Sequence, residues 1–251
     1  MKKIGIIIQA RVGSTRLPNK VNLPFYKNDT ILDIIIKKIL YLKERNIQIV
    51  LSTGSNLENN VLKKYSDKYN IDFFQGSESN VLDRFIKTSE TYHFTHVLRI
   101  CSDNPFLEVE FIETLINKYN KDKYDYYSYK NTKNIPAIRT HLGLFAEIVS
   151  LRSLKIQAKK ETRLSITEHV TKFIYENPKE FKIILNEFPA YLKNKDFLRF
   201  TIDDEVDFDN LKNLYIFYQY KGLIETIKYL DSKLGEDKKG RMLTNIKKYS
   251  K

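Results

Sequence analysis

Between Gln9 and Lys20 the chain reads QARVGSTRLPNK, which sets three cations around a glycine. Arginine grips phosphate through two parallel bonds and lysine acts as a point charge. Backbone N–H groups around Gly13 and Ser14 complete a cradle for anions. A polyphosphate is the ligand such a loop suits. Two carboxylates stand much further along, Asp103 in RICSDNP and Asp203 in TIDDEVDF. Each follows an apolar run and precedes a helical pattern. Carboxylates beside a phosphate loop suggest Mg²⁺, which takes one or two of them, keeps waters and uses phosphate oxygens for the rest. The plainer reading is capping, with Asp103 holding the turn before Pro105 and Asp204 capping a helix with Asp207 as its partner.

The basic loop follows Ile4, Ile6, Ile7 and Ile8, a β-branched run that fits a strand buried on both faces. Loops at the carboxyl ends of parallel strands are where open α/β sheets bind ligands. Thr30 is expected to cap a helix, with Asp33 reaching back to it. Strands are expected at Ile47–Leu51, Ile71–Phe74 and Thr95–Ile100, with an extended run at Tyr124–Tyr129. Helices are expected at Leu57–Tyr69, from Ser79, and at Val109–Tyr119. The fold class is therefore α/β, a mostly parallel sheet covered by helices. From Asn131 to Pro189 the rhythm breaks. A strand pair near Leu142–Ser150 and a helix near Ile166–Asn177 are expected there. Phe197–Asp203 then reads as a returning sheet strand and Val206–Tyr220 as its helix. Two amphipathic helices parted near Gly235 are expected in Gly222–Lys251. The expected organisation is a core domain over 1–220, with a segment inserted at about 131–190, and a helical extension over 221–251.

The chain has 251 residues, 42% of them hydrophobic, enough for a sizeable core. Its formal charge is +12, but pairs such as Lys37-Lys38, Lys159-Lys160 and Lys247-Lys248 are scattered rather than striped. A solvated basic surface is favoured over a nucleic-acid interface. Cys101 is the single cysteine, so no disulfide forms within the chain and a cytoplasmic location is expected. The apolar run after Met1-Lys2-Lys3 is too short for a signal peptide, and no stretch is long enough to span a bilayer. His93, His96 and His141 show no zinc-ligand spacing with Cys101.

Six segments in order carry a resemblance: IIQARVGSTRLPNKV ending at Val21, LSTGSN at 51–56, FFQGSESNVLDRF at 73–85, RICSDNP at 99–105, EHVTKFIYENP at 168–178 and TIDDEVDF at 201–208. The chain resembles the SpsF-type cytidylyltransferases of spore-coat polysaccharide synthesis, relatives of the CMP-Kdo and CMP-sialic acid synthetases. The resemblance implies a Rossmann-like sheet of the GT-A nucleotidyltransferase type, transfer of CMP from CTP with release of pyrophosphate, Mg²⁺, and a homodimer. It assigns catalysis to Arg11, Arg16, Lys20 and Asp103, and metal binding to Asp103 and Asp203. Gln9, Ala10, Arg11, Gly13, Ser14, Thr53, Ser55, Gly76, Ser77, Arg84 and Ser102 would bind the nucleotide. Arg139, His141, Glu147, Glu168 and His169 would face a small acidic or phosphorylated acceptor. The region Ile135–Glu147 departs most from the family pattern, so acceptor identity transfers least. Three other readings remain: a GT-A glycosyltransferase, a basic nucleic-acid-binding protein, and a non-catalytic sugar-nucleotide binder.

Overall fold

The computed structural model describes residues 3–121, 124–160 and 169–233. Strand β1 (Ile4–Gln9) is an interior strand, third in order, of a seven-stranded sheet. It is flanked by β4 (Gln48–Gly54) on one side and β6 (His96–Cys101) on the other, both parallel to it. Outside β4 lies β5 (Asp72–Gly76), also parallel. On the other side β8 (Glu147–Ser150) pairs antiparallel with both β6 and β7 (Tyr126–Lys130). Strand β9 (Ile183–Glu187) closes that edge in parallel with β7. The chain thus leaves β1 toward opposite sides, and the crevice at the strand ends opens beside Gln9.

Side chains alternate across the sheet, so the isoleucines of β1 serve two cores. Ile6 and Ile8 pack with α1 (Ile31–Ile39), α4 (Val109–Lys121) and α7 (Glu205–Lys233). Ile7 packs on the opposite face with α3 (Val81–Thr91), α5 (Leu151–Lys160) and α6 (Lys172–Glu176). Helix α1 begins with the expected capping box, in which Thr30 accepts from the Asp33 N–H and Asp33 accepts from the Thr30 N–H. Such a cap stabilises by about 1 kcal/mol. No helix of the described residues is long and apolar enough to cross a membrane.

Four expectations change. Phe197–Asp203 is extended but lies outside the sheet. Its backbone N–H groups bond to loops instead, Phe200 to the His141 carbonyl at 2.9 Å and Ile202 to the Asp103 carbonyl at 3.1 Å. The edge place belongs to β9. A short hairpin, β2 (Pro24–Tyr26) with β3 (Asp29–Thr30), precedes α1 and turns through Lys27 at φ 53°. Leu57–Tyr69 divides into a 3-10 turn, Leu57–Leu62, and helix α2, Lys63–Tyr69. Of the strand pair near Leu142–Ser150 only β8 forms, and α5 follows it directly. The helix expected from Ile166 is described only as α6. In α7 the break falls at Gly222, with φ 77° and ψ 176°; the expected break near Gly235 lies outside the described residues.

Candidate active site

A cleft of about 460 Å³ opens across the carboxyl ends of β1 and β6. Gln9, Ala10, Arg11, Ser14, Thr15, Arg16 and Lys20 line its centre. The loop is tied down by its own backbone, with the Asn19 N–H on the Val12 carbonyl at 3.0 Å and the Ala10 N–H on the Ser52 carbonyl at 3.1 Å. Asn59, fully buried in the 3-10 turn, accepts from the Val12 N–H at 2.9 Å. Gly13 does not line the cleft. A Cβ there would stand 2.6 Å from Glu58 Oε1, the end of an exposed side chain that can swing aside.

Asp103 and Asp203 both line the cleft, and the Ile202–Asp103 backbone bond joins the segments that carry them. Each is approached by a cation of the phosphate loop: Lys20 Nζ stands 3.6 Å from Asp103 Oδ2, and Arg16 Nη2 stands 3.2 Å from Asp203 Oδ1. Lys20 also donates to the Ile202 carbonyl at 2.6 Å. Buried Arg199 binds Asp207 through two nitrogens at 2.9 and 2.7 Å, Asp203 at 2.6 Å and His141 Nδ1 at 2.6 Å. Asp204 accepts from the Asp207 N–H at 2.9 Å and caps α7, which leaves Asp203 to face the cleft. The capping reading thus holds for Asp204.

The donor set suits a hard divalent cation. Two carboxylates line one cleft, and among the described residues no group of three His, Cys, Asp or Glu side chains is placed to hold a metal ion by itself. Mg²⁺ is bound in that way, by one or two carboxylates with water and phosphate oxygens. Cys101 also lines the cleft, but burial pushes its thiol up to about 11. It is a neutral thiol near pH 7, not a nucleophile.

Toward β4 and β5 the walls are Glu78, Val81 and Arg84, while Ser102 lines the cleft just after β6, its N–H on the Gln9 carbonyl at 3.2 Å. Arg84 is 1% exposed and donates to the Ser77 carbonyl at 2.8 Å. Burial pulls its guanidinium down to about 10, which still leaves it charged near pH 7. Thr53, Ser55, Gly76 and Ser77 do not line the cleft. Thr53 is fully buried and Ser55 is exposed on the outer surface.

Toward β8 the walls are Arg139, His141, His169, Thr171, Lys172 and Tyr175. Burial and the Arg199 charge pull the His141 imidazole below its usual value. Arg99 forms the floor. It donates to Gln9 Oε1 at 3.2 and 3.1 Å and to Glu147 Oε1 at 2.8 Å.

Residues 5–234 match the sequence model of a family described as Cytidylyltransferase. The chain belongs to the cytidylyltransferase family. It is a CTP-dependent nucleotidyltransferase. It is 32% identical over 223 residues to the spore coat polysaccharide biosynthesis protein SpsF of Bacillus subtilis, a match covering 86% of this chain and 87% of that one. It is 38% identical over 208 residues to an uncharacterized protein of Methanocaldococcus jannaschii, covering 83% and 81%. Among solved structures, a cytidylyltransferase of Leptospira borgpetersenii superposes with a TM-score of 0.78 at 24% identity, covering 92% of this chain and 95% of that one. A CMP:2-keto-3-deoxy-manno-octonic acid synthetase complexed with CTP superposes at 0.62 with 13% identity, covering 86% and 99%. These two likenesses concern the fold.

One expected wall residue of this cytidylyltransferase moves. Glu147 is 2% exposed and lies beneath the cleft. Its carboxylate takes Arg99, Tyr126 and Thr171, the last two at 2.5 and 2.9 Å, and has no face left for an acceptor. Glu168 lies outside the described residues. Sequence reasoning passed over Arg99, Arg199, Glu78, Lys172 and Tyr175. Three of them carried a signal. Arg199, Asp203 and Asp207 recur every four residues, and Lys172 and Tyr175 lie one helical turn apart within EHVTKFIYENP.

Proposed function

We propose that this cytidylyltransferase transfers CMP from CTP to a small anionic acceptor and releases pyrophosphate. The observation that carries the reading is the meeting of Arg16 and Lys20 with Asp203 and Asp103, at 3.2 and 3.6 Å, in one cleft. Triphosphate and metal thus have adjoining places. Arg11 and Arg16 hold the β- and γ-phosphates, and Lys20 reaches the α-phosphate where charge changes during reaction. Asp103 and Asp203 would hold Mg²⁺, which when bound would screen the phosphates and stabilise the charge developing on them. An acceptor oxygen attacks the α-phosphorus in line. The chain positions the reactants and needs no nucleophile of its own.

Two cationic side chains at the β8 end, Arg139 and Lys172, favour an acidic or phosphorylated acceptor. The Bacillus subtilis relative, named for spore coat polysaccharide biosynthesis, supports a surface-glycan precursor as product. The test is a pyrophosphate-release screen of all four nucleoside triphosphates against sugar acids, polyol phosphates and amino-acid-derived phosphates. Release should need CTP and one acceptor class together. Transfer of a sugar from a nucleotide sugar, with no pyrophosphate, would replace this reading by a glycosyltransferase.

The chain pairs as a homodimer through residues 131–190, a reading that rests on the resemblance. Light scattering should give twice the chain mass of 29.8 kDa. A single-chain mass at high concentration would reject the pairing.

A further inference from the structure

The geometry points to Glu78 as the residue that selects the base of the nucleotide, by accepting a hydrogen bond from the exocyclic amino group of cytosine. The assignment rests on CTP occupying the cleft as proposed above. The acidic side chains lining the cleft among the described residues are Glu78, Asp103 and Asp203. The two aspartates belong to the β6 side and answer the cations of the phosphate loop. Glu78 stands apart, on the connection between β5 and α3, where its charge acts on the Arg84 guanidinium of α3.

Its carboxylate is held in place. Asn59 Nδ2 donates to Oε2 at 2.9 Å, and the Asn56 N–H approaches the same oxygen at 3.3 Å. Asn59 also donates to the Gly54 carbonyl at 3.3 Å and accepts from Val12 in the phosphate loop, so the carboxylate is set relative to the phosphates. Gly54 has no side chain to displace it, since a Cβ there would fall 1.7 Å from Oε2. The bonds from Asn56 and Asn59 both fall on Oε2, which leaves Oε1 to serve the ligand. A carboxylate only accepts. Cytosine presents an amino donor at the position where uracil presents a carbonyl oxygen. An ionised acceptor there attracts the first and repels the second. A fixed Glu or Asp accepting from that amino group is a known way of reading cytosine.

Calorimetric titration of CTP, UTP and 2′-deoxy-CTP into the full chain, without acceptor, tests the assignment. Wild type should bind CTP at least about tenfold more tightly than UTP, the range for one well-placed base contact. In Glu78→Gln the amide oxygen stays on Asn59 and the NH₂ turns to the base. The CTP-to-UTP ratio should then fall about tenfold or more, toward or past parity. Glu78→Ala should bring the ratio to an intermediate value. Gly54→Ala, which displaces the carboxylate without changing it, should lower the ratio as well. If both variants at Glu78 weaken CTP and UTP equally, the residue is only wall, and the assignment fails. Equal weakening together with a lost preference for CTP over 2′-deoxy-CTP would place Glu78 on the ribose instead and also overturn it. Wild type that binds none of the three nucleotides would refute the placement of CTP itself, a separate failure.

Discussion

Asp103→Asn is expected to lower turnover about 10²- to 10³-fold, the loss usual when one group that stabilises transition-state charge is removed. The fold should survive. The Asp103 side chain is partly exposed, and its structural bond, the carbonyl that accepts from Ile202, belongs to the backbone. Asparagine keeps the shape and removes the charge that a cation needs. The check is kcat in the pyrophosphate assay beside a thermal unfolding curve. Wild-type turnover with a wild-type curve would remove Asp103 from the reaction. Asp203→Asn should harm both readouts, because Asp203 also receives Arg199 and Arg16. The comparison separates an aspartate that acts on substrate from one that acts and also holds the site together.

Glu147→Ala is expected to cost stability more than any other single change at this site. Glu147 and Arg99 form an ion pair with side chains 2% and 8% exposed. Removing one partner of such a pair leaves a charge buried in low dielectric and destabilises by about 3–5 kcal/mol. For a chain of this length that is about 10 °C in melting temperature. The Thr171 and Tyr126 hydroxyls lose their acceptor as well. Thr171 precedes α6, so the Lys172 and Tyr175 wall should loosen. Gln9 should lose its fixed orientation when Arg99 shifts. Glu147→Gln keeps the shape and should be milder. Chemical denaturation measures both variants. A midpoint for Glu147→Ala within experimental scatter of wild type would show that water already reaches the pair, and would end its role as the floor of the cleft.

Much of the fold was legible in order. The isoleucines of β1 announce a strand buried on both faces, and the Thr30–Asp33 spacing announces the start of α1. Each depends on neighbours in sequence, where steric and capping rules act locally. The misread segments depend on distant partners. Phe197–Asp203 has the composition of a strand, yet its N–H groups find the loops at His141 and Asp103 rather than a neighbouring strand. Strand β9 reads weakly because its residues are only half-buried at a sheet edge. Glu147 was expected at the acceptor wall only from the resemblance, in the region that departs most from the family pattern. Register with Arg99 across β6 and β8 turned it inward instead.

The sequence alone determined which chemistry is available. The three loop cations and the two aspartates at the ends of apolar runs point to a phosphate-handling α/β protein, and the resemblance carried by the ordered motifs adds the implication of an enzyme. Residue types and local spacing suffice for the first, because charge, donor count and helix capping are properties of short stretches. Only the tertiary structure decided which carboxylate faces the cleft, which caps α7, and which lies beneath as counter-ion to Arg99. Those choices turn on burial and on contacts between residues far apart in sequence. A charged side chain is set to work or neutralised according to what packs against it, and packing exists only once the chain has folded.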